Sequence, residues 1–152
     1  MELLQSITDS PGLPSLFLLS FLAATILPIG SEWLLVLLII RGVSPTNVVI
    51  TASLGNFLGA CSTYLIGIFG SDFFIRSVLR IKEDQLTRAK KVYAKYGTWS
   101  LLFSWLPVIG DPLCLLAGLF KVGPGKFSLL VFVGKFFRYA TLAFLVLKGS
   151  GE

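Results

Sequence analysis

The chain has 152 residues, of which 55% are hydrophobic and 14% charged, and its mean hydropathy is +0.84. A soluble domain is about 45–50% apolar and about 25% charged, so this composition describes an integral membrane protein. Lys and Arg number 13 against 8 Asp and Glu, and there is no histidine, which excludes His-based nucleophile triads, imidazole proton shuttles and most zinc and haem sites.

Whatever chemistry the chain performs must use carboxylates, arginine, lysine or backbone; no metal and no cofactor are expected, nor an enzyme. Cys61 and Cys114 lie inside apolar runs and read as small buried hydrophobes. Met1 to Pro14 carries Glu2 and Asp9 but no Lys or Arg, unlike the basic start of a cleavable signal peptide.

In chain order, Leu16 to Ile40 is apolar apart from Glu32 and is interrupted by Leu27-Pro28-Ile29-Gly30-Ser31-Glu32. Proline removes a backbone donor and glycine permits a sharp turn, so the run divides into half-helices over Leu16–Leu27 and Glu32–Ile40. A bilayer core of about 30 Å needs roughly 20 helical residues, and neither half reaches that length. A single kinked crossing of 16–40 stays open as the alternative. Ser44-Pro45 then opens a stretch long enough to span, reaching about Gly70, with Ser44 as N-cap and Pro45 at the first helical position.

Residues 71–97 are the charged region, with Arg76, Arg80, Lys82, Arg88, Lys90, Lys91 and Lys95. Leu86, Ala89, Val92, Tyr93 and Tyr96 recur there at helical spacing, predicting an amphipathic helix closed by Gly97 that lies on the membrane surface or, equally, is a solvated linker joining the two halves. Trp99 to Phe120 is again broken, at Leu106-Pro107-Val108-Ile109-Gly110-Asp111-Pro112, and Pro124 opens a second spanning stretch to about Leu147.

Shifting the sequence by 79 positions aligns Leu22–Gly70 with Leu101–Gly149 without a gap. Pro28 falls on Pro107, Pro45 on Pro124, Gly55 on Gly134, Gly70 on Gly149 and Glu32 on Asp111. The expected architecture is therefore all-α: one membrane domain in which repeat 1 (about 16–70) and repeat 2 (about 98–149) flank the linker 71–97. Each repeat is a re-entrant helical hairpin plus a transmembrane helix. One net crossing per repeat makes the two inverted, as in many secondary transporters. With the linker in the cytoplasm, its seven basic residues join Lys121 and Lys126 inside, against Arg41 and Lys148 outside, as the positive-inside rule prefers. The net charge of +5 is then a membrane-surface feature, and no nucleic acid partner is expected.

Four ionisable residues fall at membrane depth, where charge is costly and marks function by default: Glu32, Asp111, Lys135 and Arg138. Glu32 and Asp111 occupy equivalent hairpin tips. As neighbours in a poorly hydrated cavity they would share a proton and suit proton coupling; equally, each could cap its half-helix. Lys135 and Arg138 lie three apart on one helix face and could receive a lipid phosphate or form structural ion pairs with the acids. Asn56 aligns with Lys135 as a polar partner across the pseudo-two-fold axis. Gly55, Gly59, Thr63 and Gly67 recur every four residues, a small-residue stripe that permits close helix packing within the chain or in a homodimer. Trp33, Trp99, Trp105, Tyr64, Tyr93, Tyr96 and Tyr139 read as interfacial anchors or packing.

The tip Leu27-Pro28-Ile29-Gly30-Ser31-Glu32 resembles the proline-containing hairpin with a glutamate of the DedA family, also called the SNARE-associated or VTT domain. Ser104-Trp105-Leu106-Pro107-Val108-Ile109-Gly110-Asp111-Pro112-Leu113-Cys114-Leu115-Leu116-Ala117-Gly118-Leu119 is similar to the small bacterial YqaA-type branch of that family. The resemblance covers about 16–147. It implies two opposed re-entrant hairpins, a place in the bacterial inner membrane, and a role in moving or scrambling lipids, including polyprenyl phosphates, and in proton-motive-force maintenance and envelope homeostasis. Glu32 corresponds to the first-hairpin acid and Asp111 to the second. Family members carry arginines flanking the second-hairpin proline, where this chain has Ser104 and Gly110, so a phosphate site would fall to Arg138 or Lys135. The expected function is a proton-linked translocase or scramblase for phospholipid or polyprenyl phosphate, with membrane lipids, anionic lipid phosphates and protons as partners. The alternative is a non-transporting scaffold or assembly factor.

Overall fold

The computed structural model describes residues 12–25, 30–70, 82–106 and 109–151. Pro28 and Pro107, which mark the two breaks, lie outside the described residues, as do 71–81 of the linker. Six α-helices are described: α1 (Leu13–Ala23), α2 (Glu32–Ile40), α3 (Pro45–Phe69), α4 (Glu83–Tyr96), α5 (Gly110–Leu119) and α6 (Pro124–Gly149), with a 3-10 helix over Gly97–Trp105 between α4 and α5.

The long helices begin at proline, whose missing N–H costs nothing in a first turn, and run 25 and 26 residues, about 38 Å at 1.5 Å per residue. Both are long and apolar enough to cross a membrane. At 11, 9 and 10 residues, α1, α2 and α5 are not. Helix α1 stops at Ala23, earlier than the expected Leu27, in a tightened turn where the N–H groups of Ala24 and Thr25 donate to Phe21 O (3.2 Å) and Leu22 O (3.1 Å) and the Thr25 hydroxyl donates to the same carbonyls. The segment before Pro107 is 3-10 where an α-helical arm was expected. It is confined between Gly97, whose φ of +62° ends α4, and Leu106, held extended (φ −69°, ψ 131°) as a residue preceding proline must be.

The offset of 79 is carried into the backbone. Helices α3 and α6 start at equivalent prolines, and the ends of α2 and α5 are closed by matching bonds. Val43 N–H donates to Leu38 O at 3.0 Å and Val122 N–H to Ala117 O at 2.9 Å; Gly42 donates to Ile39 O and Lys121 to Gly118 O, both at 3.0 Å. Gly42 has φ +89° there, and Lys121 accepts the same left-handed region at +51°.

Tyr64 stacks on Phe127 with ring centroids 4.2 Å apart, whereas Asn56, two turns earlier on α3, meets Lys135, two turns later on α6. The two long helices therefore run antiparallel. Shorter elements fill in around them: α1 lies along α3, the 3-10 helix along α6, α5 against α3, and α2 against α6 and α3. One apolar cluster gathers Ala60, Tyr64, Leu101, Leu113, Phe127 and Val131, and another Leu16, Leu34, Leu38, Val48, Tyr139 and Ala143. Helix α4 docks Ala89, Leu86, Val92 and Tyr93 onto the first cluster and leaves Arg88, Lys90, Lys91 and Lys95 exposed. Outward, Leu54, Leu58, Leu65, Leu129, Phe137 and Phe144 stay exposed, an apolar surface that suits lipid and not water.

The small-residue stripe is used within the chain. A side chain at Gly55 would strike Phe17 O, one at Gly59 Phe21 O and Ala24, and one at Gly67 the Leu115 carbonyl and Gly118. Thr63 donates to Ala24 O at 3.1 Å. Such close approach supplies the packing that replaces the hydrophobic effect in lipid, and it leaves this stripe covered.

Candidate functional site

Helix α6 carries both intramembrane bases, and the structure gives each its own acid. Lys135, 2% exposed, sits where α5, α3 and α6 meet. Its ammonium lies 3.5 Å from Asp111 Oδ1 and donates to Asn56 Oδ1 at 2.5 Å, while the Asn56 amide donates to Ser20 O at 3.1 Å. Lys135 and Asn56 are 79 residues apart, the repeat offset itself. Asp111 is the second residue of α5, not its N-cap; that place is taken by Ile109, and no side-chain cap bond forms. The carboxylate therefore turns to the lysine. An ammonium in this setting is tolerable only because it is both paired and hydrogen-bonded.

Arg138, one turn further along α6, forms an ion pair with Glu32 at the first turn of α2, and both are partly open, at 19% and 26% exposure. The guanidinium also lies over the Tyr139 ring, 5.7 Å from its centroid. The pair forms part of the wall of an open cleft of about 490 Å³ whose other lining residues are Trp105, Phe137, Thr141 and Leu142. Lys135 and Asp111 are not among them. Hence the two acids, aligned in sequence, are each engaged by a different base, and the two bases, expected to act together, face different surroundings.

Glu32 is held by its neighbours. A Cβ at Gly30 would collide with the Glu32 carboxylate, so the absence of a side chain there lets the glutamate fold back over the chain. Ser31, at the N-cap position, makes no side-chain cap bond; its Oγ shares a buried 2.8 Å hydrogen bond with Tyr139 Oη. Tyr139 is 1% exposed, so it is a core residue tying α2 to α6 and not an interfacial anchor. Its only mark in sequence was its place beside Arg138. Trp105 likewise does more than sit at an interface, since it forms a wall of the cleft. At the far end of α3, the Tyr64 hydroxyl donates to the Val122 carbonyl. Gly110 packs against Ser104 O, and Gly134 faces Leu102 O and Ser104 Oγ; Pro112 is buried in the first turn of α5.

Chemically, the arrangement offers one arginine with a planar five-donor fork, suited to carboxylate or phosphate, beside a carboxylate able to take a proton. Both lie at the edge of an apolar cleft between helices.

Comparison with known proteins gives the chain a family. Residues 13–148 match the VTT domain. The chain is 38% identical over 143 residues to the inner membrane protein YqaA of Escherichia coli (strain K12), a match spanning 93% of this chain and 96% of the relative. It shows the same identity and coverage to the protein of that name from Shigella flexneri. An uncharacterized protein of Haemophilus influenzae is 35% identical over 139 residues, 86% of this chain and 84% of its own. No solved structure matches the chain.

Proposed function

The chain belongs to the VTT-domain (DedA) family, and from that membership we propose that it is a proton-linked translocase or scramblase for phospholipids or polyprenyl phosphates. It is a multi-pass protein of the bacterial inner membrane, with the general lipid-handling role of a family of transporters, not enzymes.

In this reading, repeat 1 (16–70) and repeat 2 (98–149) are inverted units of one membrane domain. The short helices form re-entrant hairpins that enter from opposite faces, and the basic linker 71–97 lies on the cytoplasmic side. The antiparallel course of α3 and α6 and the Asn56–Lys135 contact between equivalent positions support inversion. The lengths of α1, α2 and α5 support hairpins that return to the face they entered, since about 15 Å of helix covers half of a core about 30 Å thick.

The observation that carries the function is the Glu32–Arg138 pair in the wall of an open, largely apolar cleft. A lipid tail follows Trp105, Phe137 and Leu142 while its phosphate reaches Arg138. Glu32 and Asp111 are the proton-carrying candidates, as carboxylates must be in a chain without histidine. Lys135, enclosed by Asp111 and Asn56, supports the site, and its charge adds to the field at the head group.

The test is reconstitution of the purified chain in liposomes with a labelled phospholipid or a labelled polyprenyl phosphate, with and without a pH gradient. Transfer between leaflets well above that of protein-free liposomes, changed by the gradient, is expected. No transfer of either lipid under any gradient overturns the reading and leaves the scaffold alternative.

A further inference from the structure

The geometry points to linked uptake at the Glu32–Arg138 pair: one anionic lipid phosphate displaces the Glu32 carboxylate from Arg138, and Glu32 takes up one proton in the same event. This rests on the lipid-transport reading above and specifies how substrate and proton meet.

Arg138 is already engaged, so an arriving phosphate must compete for the same guanidinium fork. Glu32 and Arg138 are the charged members of the cleft wall; the rest is aromatic, aliphatic or the hydroxyl of Thr141. The pair is neutral as a unit. Adding a phosphate anion to it would leave two negative groups around one guanidinium in an apolar setting, the arrangement that disfavours keeping a carboxylate ionised. Protonation of Glu32 restores neutrality. The balance is simple: the carboxylate takes a proton from hydronium of the bulk solvent, leaving water, Arg138 moves its N–H donors from carboxylate to phosphate oxygens, and release of the lipid reverses both. One O–H bond of hydronium breaks as the carboxyl O–H forms, and no other covalent bond changes.

The scaffold suits such an exchange. Ser31 and Tyr139, the immediate neighbours of the two charged residues, share a buried hydrogen bond of 2.8 Å. The start of α2 therefore stays docked on α6 when the charges part. Among the described residues, other groups do not interfere. Tyr139, the titratable neighbour of Arg138 on α6, has its hydroxyl committed to Ser31. Helix α3, which also packs on α2, carries no charged residue, and its Tyr64 is bonded to Val122. The 3-10 helix, which brings Trp105 to the cleft, carries no charged residue either. Lys135 on α6 is held by Asp111 and Asn56.

Binding of a lipid and of a proton that help each other must do so reciprocally, and with one proton linked the affinity changes by up to about tenfold per pH unit. A head group carrying both phosphate and ammonium would instead satisfy Arg138 and Glu32 together without any proton, and this competitor gives the test its second arm.

The full chain is held in micelles of a maltoside detergent, which offers neither phosphate nor ammonium, and titrated with phosphatidylglycerol, whose phosphodiester keeps a single negative charge throughout the titrated pH range. Binding is read from Trp105 fluorescence in a Trp33→Phe, Trp99→Phe background. Proton uptake is read on the unaltered protein with a pH dye in weak buffer. Expected are tighter binding at lower pH, approaching about tenfold per unit, uptake of close to one proton per lipid bound, and a Glu32→Gln variant that binds tightly at every pH with the slope abolished. The inference is overturned by pH-independent binding in the unaltered protein, by lipid binding without proton uptake, by a wild-type slope in Glu32→Gln, or by tighter, pH-independent binding of phosphatidylethanolamine. Transfer in liposomes together with pH-independent binding would sink this inference alone; linked binding without transfer would sink the translocase reading alone.

Discussion

Two ion pairs stand one helical turn apart on α6, and their surroundings differ more than their chemistry. Lys135 is enclosed at the crossing of the long helices, 2% exposed, with a carboxylate at 3.5 Å and an amide oxygen at 2.5 Å. Arg138 and Glu32 are each about a fifth to a quarter exposed and face an open cleft. The contrast teaches that a charge at membrane depth acquires its role from access. A lysine buried to 2% and bonded on two sides holds helices in register even though its carboxylate partner is 34% exposed, whereas an arginine in the wall of a cleft that a ligand can enter is exchangeable.

This contrast can be broken most sharply at Lys135. Asp111→Ala leaves the Lys135 ammonium buried without its carboxylate, and breaking a buried pair in this way costs about 3–5 kcal/mol. Unfolding in mixed micelles should show it, and adding Lys135→Met should recover most of the loss. A single variant as stable as the parent would mean that the centre carries no such charge. Asn56→Leu removes a hydrogen bond to a charged group and should cost about 1.5–3 kcal/mol by the same measurement. Asn47, exposed near the start of α3, is the control: Asn47→Leu should stay within about 0.5 kcal/mol of the parent.

Tyr139→Phe, which deletes the bond to Ser31, should cost less, about 0.5–1.5 kcal/mol, and should reduce lipid transfer by loosening the start of α2. At the cleft the order of effects reverses. Glu32→Gln and Arg138→Gln should alter stability by under about 1 kcal/mol, since the pair is partly open to solvent screening, yet lower transfer per molecule by an order of magnitude or more. If Glu32→Gln instead lowers protein abundance while transfer per molecule is unchanged, the cleft pair is structural and the distinction between the two regions collapses.

Much of the frame was legible from local signals. Pro45 and Pro124 open the spanning helices at the residues expected, Glu32–Ile40 is a helix with the expected bounds, and Gly97 closes the amphipathic helix. The alignment of Asn56 with Lys135 at the repeat offset anticipated their contact, which forms at 2.5 Å. That the two bases pair with the acids was one of the readings the sequence offered, but which acid meets which base was not legible. Glu32 and Asp111 align with one another, and their alignment suggested a carboxylate pair; instead α2 lies on α6 beside Arg138, while α5 lies where Asp111 meets Lys135. Tyr139 carried no periodic signal separating it from the other aromatic residues, and Trp105 became a cleft wall only once the 3-10 helix was laid along α6.

By itself the sequence determined the solvent the protein lives in, the starts of the two long helices at Pro45 and Pro124, the repeat and the four charges that its apolar segments tolerate. These follow from composition, proline and glycine placement and hydropathy, all of which act over a few residues. Tertiary structure alone decided which acid meets which base and which base a ligand can reach. Those outcomes depend on contacts between residues as far apart as Ser31 and Tyr139, separated by 108 positions, and on the space left between packed helices, and no local propensity encodes either.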